Sequence, residues 1–483
     1  PKPSSAASDV YKRQFQNGPI RGKDVFIPLT QLIGGAAMAG KGWNMLNECL
    51  AVGRSITLPS TASGGAKAGA AVTGAYARIR KQFGLSVGRF EGVEEALARI
   101  GGKAYKISAL SQATAAAVDR GDVPSVPSAI AKYHCTTMSR EVISDMMDVI
   151  GGKGIILGPR NFAGRSWQAA PIAITVEGAN IMTRSLLIFG QGAILCHPWV
   201  LKEMKAAQDP DTRAGLQDFD RSLFGHIRFG ISNAVRSFWF GLTGARFGAA
   251  PGDAYTRRYF RKLDRYSANL ALMADISMMT LGGKLKFKES LSGRLGDVLS
   301  HVYMTSAMLK RYHDEGAPQA DQPLLAWAFH DSVHKIEESL SAALRNFPIR
   351  PIGWLMWALI FPLGRRAEAP GDRLSRRVAA LLMAPNEARD RLASGVFLTP
   401  CENNPGGRIN SYLSKAIMAE PVERKFLKAL KSKGIEALDF KAQLDEAVAE
   451  GVITQDERSL LEELRTLTLD LSLIHISEPT RLL

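Results

Sequence analysis

The stretch EGVEEALARIGGKAYKISALSQATAAAVDRGD, Glu91–Asp122, decides the fold class. Good helix formers fill it, apolar residues recur every three to four positions, and Gly121 supplies a stop signal. Three further stretches show helical spacing: Ala66–Gly84, Ser128–Gly154 and Thr183–Ile194. We expect Asn180 or Thr183 to cap the last of these helices. Four helices joined by short connections predict a bundle.

The sequence on either side of the bundle is different. The β-branched and aromatic run GKDVFIPLTQLIGG, Gly22–Gly35, predicts a strand that ends at Pro28. From about Pro198 to Asp470 the chain is mostly helical in pattern, richer in arginine and interrupted by Pro/Gly loops. The chain is therefore expected to be mainly α, with an extra helical domain after the bundle.

Both ends of the chain look foreign to the protein. The segments SDVYKRQ, Ser8–Gln14, and LSLIHI, Leu471–Ile476, can be encoded by opposite strands of one DNA segment, as translated sequencing adapters would be. We therefore interpret residues 1–14 and 471–483 as non-native and leave them out of the fold prediction. The natural protein is then expected to begin before Phe15.

The composition limits the possible functions. The 483 residues are 46% hydrophobic and 22% charged, as expected of a folded protein, and carry a net charge of +15. A basic balance suits a phosphorylated substrate or a membrane surface, while the lack of Lys/Arg tracts interleaved with aromatics disfavours nucleic acid. The four cysteines form no CxxC pair, which indicates a reducing compartment.

The apolar run RPIGWLMWALIFPLGRR, Arg350–Arg366, has two interpretations. It is too short to cross a membrane, which takes roughly 20 residues. Tryptophans inside the run and arginines at its ends fit an interfacial membrane contact. A buried core helix or hairpin is the alternative.

Two motifs resemble cofactor or metal sites without completing them. HDSVH, His330–His334, has Asp331 where the zinc motif HExxH needs glutamate, so we predict no metal site. GGKGIILG, Gly151–Gly158, has Leu157 at the last glycine of the Rossmann spacing, although consecutive glycines still let a phosphate approach the backbone.

The most unusual charge is Glu177, which lies within the apolar stretch IAITVEGANIMTRSLLIFGQG, Ile172–Gly192. It is a loop carboxylate, one partner of an ion pair, or a general base that its apolar surroundings make more basic. The cluster RIRKQFG, Arg78–Gly84, also has two interpretations. It is a solvated helix end, or it lets Arg80 bind a phosphate while Phe83 packs against a flat ring.

The order and spacing of VFIP, LIGG, GKGW, VGR, RKQFG, IGGKG and VEGAN resemble the acyl-CoA dehydrogenase family from Phe15 to about Pro198. The later segment resembles the C-terminal extension of its bacterial long-chain, FadE-like branch. The resemblance implies the end of the middle β-domain in residues 15–37, the C-terminal four-helix bundle in 38–198 and the extension in 199–470.

The resemblance also implies roles for individual residues. Glu177 matches the catalytic base, with Arg54 and Gly178 close to the substrate. Arg80 and Phe83 match residues that reach the FAD of a neighbouring subunit, and three glycines match a backbone segment against that FAD: Gly151, Gly152 and Gly154. Val176 and Ala179 depart from the usual tyrosine and threonine on either side of the base and its glycine.

The implied function is FAD-dependent α,β-dehydrogenation of a medium- or long-chain acyl-CoA in β-oxidation. Electron-transfer flavoprotein would take up the electrons, and the enzyme would be a cytoplasmic homodimer or higher oligomer, with possible contact to the inner membrane. This fragment alone is expected to be inactive. The alternatives are an acyl-CoA oxidase of the same fold and a non-catalytic, membrane-associated helical binding protein.

Overall fold

The computed structural model describes residues 21–433 and 439–472, whose regular secondary structure is almost entirely helical. The mainly-α prediction is therefore confirmed. The chain divides into one unit that ends at Cys49 and a second that starts at Leu50. The adapter-like segment 1–14 and all but the first two residues of 471–483 lie outside the described residues.

The described part of the first unit contains two short 3-10 turns, Leu29–Gln31 and Ala36–Met38. The strand predicted to end at Pro28 is wrong, because residues 21–28 form no regular element. A strand is stable only when a neighbour completes its hydrogen bonds. Within the described residues, the strands are β1 (Lys81–Gln82) and β2 (Leu85–Ser86), which pair with each other.

Long helices form the bundle: α1 (Gly42–Ile79), α2 (Glu91–Asp119) and α3 (Ser125–Ile150). The short α4 (Gly152–Ile155) and α5 (Gly164–Thr175) follow. The fourth long element consists of α6 (Asn180–Met182), a π-helical stretch (Thr183–Ile188) and α7 (Phe189–Leu195). Helix α1 ends five residues before Gly84, the predicted stop, because the chain turns into the β1–β2 hairpin.

The extension is a second set of helices. They are α8 (Val200–Ala207), α9 (Thr212–Thr243), α10 (Arg257–Leu281), α11 (Glu289–Asp314), α12 (Gln322–Arg345), α13 (Arg350–Ile360), α14 (Asp372–Leu382), α15 (Glu387–Leu392), α16 (Pro405–Ser411), α17 (Leu413–Lys433), α18 (Phe440–Ala449) and α19 (Gln455–Ser472). Helices α11, α12 and α14 pack directly on α2 of the bundle. Buried side chains of both regions therefore form one continuous hydrophobic core.

Glycines make this close packing possible. A Cβ atom at Gly102 of α2 would lie 1.9 Å from Cε3 of Trp327 in α12, and one at Gly101 would lie 3.0 Å from a methyl group of Val378 in α14. A Cβ atom at Gly74 of α1 would lie 2.2 Å from the carbonyl oxygen of Leu382. Side chains at these positions would push the extension off the bundle.

No single helix in the described ranges is long and apolar enough to cross a membrane. One bent pair, Gly164–Thr175 with Asn180–Ile194, has the required length and composition.

We expect Gly102→Ala to lower the free energy of unfolding by at least roughly 1–3 kcal/mol, because the new methyl group overlaps the Trp327 ring. Gly92 is the matched control, since it lies in the same helix and its added Cβ meets nothing within 4 Å. Gly92→Ala should leave stability unchanged or raise it slightly. Chemical denaturation measures both changes, and equal effects would contradict the packing described here.

Candidate active site

Glu177 lies on a tight turn between α5 and α6. Its φ is 56° and that of Gly178 is 96°, so two consecutive residues adopt left-handed backbone conformations. This region suits glycine but is unusual for glutamate, and such conformations persist only where neighbouring groups hold them.

Two buried cations hold the turn through its backbone carbonyls. Arg54 of α1 donates from Nε to the carbonyl oxygen of Glu177 at 2.8 Å. Lys132 of α3 donates from Nζ to the carbonyl oxygen of Gly178 and to Oδ1 of Asn180, both at 2.7 Å. Together these side chains form the carbonyl clamp, which fixes the glutamate between helices distant in sequence.

Asn180 does not act as a helix cap as predicted. The N-cap is Ala179, and no side chain bonds the first turn of α6. The amide of Asn180 instead accepts from Lys132 and donates to Thr136 Oγ1 at 3.0 Å. The predicted alternative, Thr183, lies one turn further on, and its hydroxyl donates to the Gly178 carbonyl at 3.3 Å.

The Glu177 carboxylate faces α1. Its Oε1 accepts a long hydrogen bond from Thr57 at 3.4 Å. Its Oε2 is buried and has no hydrogen-bond partner within the part of the chain that the structure describes. A Cβ atom at Gly53 would lie 3.9 Å from both carboxylate oxygens, so α1 approaches without crowding them. The unpaired oxygen can accept a proton.

The clamp also sets the local electrostatics. Burial lowers the pKa of Arg54 and takes that of Lys132 to about 8, while the Glu177 carboxylate opposes both shifts. Lys132 is fully buried, yet its ammonium is satisfied by oxygen acceptors. Two positive charges therefore lie beside the carboxylate, on the backbone side of the turn.

A cavity of about 240 Å³ lies between α1, α3 and α5, close to the clamp. Its lining includes Leu58 and Thr61, on the turn of α1 that follows Thr57, together with Thr136, which bonds Asn180. Alanines of α5 form one wall, and Arg140 of α3 is the charged side chain in the lining. Its alanine wall suits a small apolar group.

The second group of predicted residues surrounds the β1–β2 hairpin. Phe83 and Gly84 form its two-residue turn, with φ values of 53° and 76°, as in the hairpin turns that favour glycine. Arg80 immediately precedes β1. The Phe83 side chain is 94% exposed, with its ring edge-on to Phe90 at 6.4 Å.

The predicted glycines lie at the end of α3. Gly151 ends the helix with a φ of 66°, Gly152 begins α4, and Gly154 is buried. Added Cβ atoms at Gly151 and Gly152 would meet nothing within 4 Å, so the backbone there faces open space. The hydroxyl of Tyr76, on α1, donates to the carbonyl of Ile150 at 3.3 Å and ties this loop to the helix that leads to Arg80.

The structure therefore brings Arg54, Glu177 and Gly178 together, but it keeps Arg80 apart from them. Arg54 lies within α1 and Arg80 just beyond its end, 26 residues later. At 1.5 Å per residue, this places the two arginines roughly 40 Å apart. The two groups cannot contact the same small region of one ligand in one chain.

The sequence analysis did not identify Lys132, whose ammonium donates hydrogen bonds to three oxygens in and beside the Glu177 turn. The available signal was a lone lysine within SAIAKYHC, where Ile130 and Ala131 are buried. A charge on the buried face of a helix needs an acceptor. That acceptor is the turn 42 to 48 residues later, which periodicity does not identify.

Two side chains of the HDSVH motif, Asp331 and His334, have protein partners. Asp331 accepts from Lys106 Nζ at 2.6 Å, and His334 Nδ1 donates to the carbonyl of Ala367 at 3.1 Å.

A different set, His197, His226 and Asp275, has ligand atoms within 4.8 Å of one another. His197 Nδ1 accepts two backbone N–H groups, at 3.2 and 3.1 Å, so the ring proton is on Nε2 and is donated to Asp275. That proton disfavours a metal at Nε2.

Two family models match the chain. The acyl-CoA dehydrogenase C-terminal domain matches residues 40–188, and the bacterial type of acyl-CoA dehydrogenase C-terminal region matches residues 194–475.

Two curated proteins match parts of the chain. Probable acyl-CoA dehydrogenase FadE10 of Mycobacterium tuberculosis is 24% identical over 315 residues, which are 62% of this chain and 45% of that protein. Protein HemX of Proteus mirabilis is 64% identical over 61 residues, 13% of this chain and 36% of that protein. The chain thus spans less than half the length of these curated relatives.

The fold also matches a solved structure. The crystal structure of acyl-CoA dehydrogenase complexed with FAD from Bacillus anthracis aligns with a TM-score of 0.52 at 15% identity, covering 69% of this chain and 55% of that one. At this identity the match supports the fold alone.

We expect Lys132→Met to loosen the turn, because the carbonyl of Gly178 and the amide oxygen of Asn180 lose their shared donor. Amide hydrogen exchange in residues 176–180 should accelerate about tenfold or more, equivalent to at least 1.4 kcal/mol. Lys205→Met, at an exposed position of α8, is the control. Unchanged exchange in the Lys132 variant would show that the clamp does not hold the turn.

Proposed function

We propose that this chain, which belongs to the acyl-CoA dehydrogenase family, is the C-terminal part of an FAD-dependent enzyme that oxidises fatty acyl-CoA to trans-2-enoyl-CoA. The buried, unpaired carboxylate oxygen of Glu177 on its clamped turn carries this proposal. A weakly acidic C–H bond next to a thioester carbonyl needs a positioned base, and Glu177 meets that requirement.

In this mechanism Glu177 removes a proton from the α-carbon of the acyl thioester. The electron pair of that C–H bond becomes the new double bond as hydride leaves the β-carbon. Bound FAD supplies the hydride acceptor. The carbonyl clamp fixes the backbone from which the carboxylate extends. The small cavity between α1, α3 and α5 is a candidate for the first carbons of the acyl chain.

The residues around the hairpin fit a flavin dinucleotide. Phe83 is an exposed ring at the tip of the hairpin turn, and the backbone at Gly151 and Gly152 faces open space. Because Arg80 lies roughly 40 Å from Arg54, we propose a homodimer or higher oligomer. One subunit's Arg80 and Phe83 then contact the FAD that serves the partner's base.

The cellular setting follows from this assignment. The enzyme carries out the first oxidation of fatty acid β-oxidation on medium- or long-chain substrates in the cytoplasm, and passes electrons to electron-transfer flavoprotein. An acyl-CoA oxidase would instead pass them to oxygen. Fast reoxidation of the substrate-reduced flavin by oxygen would favour the oxidase. The present chain is expected to be inactive without the remainder of the flavin and acyl sites.

We further propose that the extension contacts the inner membrane surface through α9 and α13. Helix α9 has the reverse of the usual polarity of a surface helix. Its buried face includes small and polar residues, such as Gly215, Asn233 and Ser237. Its large apolar side chains are half to two-thirds exposed: Leu216, Phe224, Ile227, Ile231, Val235 and Trp239. Such a stripe on a basic protein suits an anionic lipid surface.

Helix α13 adds to this surface. One of its faces packs in the core and the other is exposed, so it shares features of the buried helix and of the membrane contact that the sequence suggested. Met356 and Ile360 are buried, while Trp354 and Leu355 are 69% and 58% exposed. Trp357 packs inward, with its ring 5.3 Å from that of Phe361. Helices α9 and α13 meet where a Cβ atom at Gly241 would lie 3.2 Å from the carbonyl oxygen of Ile360.

To test the base, Glu177→Gln is made in the full-length enzyme with FAD bound. Bleaching of the flavin by acyl-CoA should slow by roughly 10²–10⁴-fold, because the amide cannot accept the proton. FAD content should stay constant. Glu95→Gln, at an exposed position of α2, makes the same chemical change elsewhere. Near-normal bleaching in the Glu177 variant would rule out its role.

To test the membrane contact, the whole chain is sedimented with phosphatidylglycerol-containing vesicles. Trp239→Glu combined with Trp354→Glu should abolish most of the bound fraction, since charges replace the inserted rings. Trp167→Glu is the control, because this tryptophan is 49% exposed on α5, outside the proposed surface. Equal sedimentation of the double variant and the unmodified chain would refute the contact.

A further inference from the structure

The β1–β2 hairpin is too short to hold its own shape. Its strands, Lys81–Gln82 and Leu85–Ser86, have two residues each, and a backbone hydrogen bond from the Val87 N–H to the Arg80 carbonyl at 2.8 Å closes its base. A hairpin of two strands is at best marginally stable in water. The exposed Phe83 ring at its tip therefore has a fixed position only if other parts of the chain hold the hairpin.

One carboxylate of the extension joins the chain before the hairpin to the chain after it. Glu420 of α17 accepts two hydrogen bonds from Arg78, in the last turn of α1, at 2.5 Å from Nε and 2.8 Å from Nη2. The same carboxylate lies 3.9 Å from Nη2 of Arg89, in the 3-10 turn Val87–Arg89 that follows β2. We call Glu420, Arg78 and Arg89 the hairpin clasp, because the carboxylate spans the base of the hairpin.

A second carboxylate of α17 contacts the first strand. Glu423 lies three residues after Glu420, on the same face of the helix, and pairs with Lys81 of β1. Burial lowers the pKa of Lys81, and the Glu420 carboxylate opposes that shift, so the clasp also acts on this strand. A two-pronged pair of arginine and carboxylate within a network holds its geometry better than a lone surface ion pair.

Helix α14 of the extension borders the same segment. A Cβ atom at Gly88 would lie 2.1 Å from the sulfur of Met383, the residue that follows α14. Arg376 of α14 donates to Glu91 at 2.7 Å and to Glu94 at 3.1 Å, at the start of α2. The chain around the hairpin is thus held by α14 and α17, and both helices belong to the extension.

From these contacts we infer that Glu420 is a positioning residue, which holds the β1–β2 hairpin in the orientation that presents Phe83 to the flavin cofactor. The inference rests on the proposed function, in which the hairpin contacts the FAD that serves the partner's base. Glu420 acts through Arg78 and Lys81. The bundle supplies the cations of the hairpin and the extension supplies their carboxylates, so the extension takes part in the reaction by fixing a cofactor contact.

The first test measures the hairpin in the present chain. In Glu420→Gln a neutral amide offers a single acceptor oxygen, so the two-pronged ion pair with Arg78 cannot form. Amide hydrogen exchange in residues 80–89 should accelerate about tenfold or more, because the hairpin opens more often. Glu387→Gln is the matched control, since this glutamate is 82% exposed and pairs with Arg391 four residues later.

A double variant shows whether the ion pair itself is responsible. Arg78→Met keeps the apolar stem of the side chain and removes the other half of the pair. Combined with Glu420→Gln, it should give exchange no faster than the faster single variant, because both changes remove the same interaction. Additive effects of the two changes, or unchanged exchange in Glu420→Gln, overturn the inference.

The second test measures the cofactor in the full-length enzyme, which is freed of FAD and then titrated with it. Glu420→Gln should raise the dissociation constant of FAD about tenfold, because the hairpin is no longer held in its binding orientation. Once saturated with FAD, the variant should be bleached by acyl-CoA at the normal rate, since Glu177 is unchanged. A role in stability alone would not separate cofactor affinity from rate in this way.

Phe83→Ala in the full-length enzyme separates this inference from the proposed function. If Phe83→Ala weakens FAD binding and Glu420→Gln does not, the positioning role is overturned and the proposed hairpin contact stands. If neither change weakens FAD binding, the hairpin contact of the proposed function fails, and the positioning role fails with it. The role of Glu177 as the base is judged separately, by the flavin bleaching of its own variant.

Discussion

The structure depends on one buried ion pair between the bundle and the extension. Lys106, in the middle of α2, has no exposed surface, and its ammonium lies 2.6 Å from Asp331 of α12. Burial lowers the pKa of Lys106 to about 8, and Asp331 opposes the shift. Burial alone would raise the pKa of Asp331, but Lys106 and Lys335 together hold it well below its usual range. Removing either partner would leave an uncompensated charge inside the core. Separating α12 from α2 would therefore carry a large free-energy penalty.

This constraint extends to the candidate site through α3. The helix that carries Lys132 toward the Glu177 turn also carries His134, whose ring lies 5.1 Å from that of His301 on α11. Burial lowers the pKa of His134 to about 3, so the imidazole stays neutral and packs as a core residue. One face of α3 thus holds the Glu177 turn through Lys132, while another face packs on α11 of the extension through His134. The position of the base therefore depends on helices that carry no catalytic group.

Periodicity predicted the long helices because their buried faces repeat at the helical period. It failed where a partner distant in sequence decides the structure. The run before Pro28 has strand-like residues, yet no neighbouring strand is described beside it. Asn180 is a good capping residue, but the Lys132 ammonium occupies its side-chain oxygen. Glu177 stood out as a charge among apolar residues, whereas its clamp comes from two other helices. The sequence of α9 contains large apolar residues at helical spacing, and only the structure shows that they are exposed.

The glycine pair at 101 and 102 lies where helices of the extension pack on α2. A bundle helix that faced solvent here would gain stability from alanine at both positions. This chain needs glycine at position 102 because the Trp327 ring occupies the place of a Cβ atom. A larger residue at position 102 would have to displace the Trp327 ring or move α12 off α2. The short side of this helix is therefore a record, within the bundle, of the extension that packs on it.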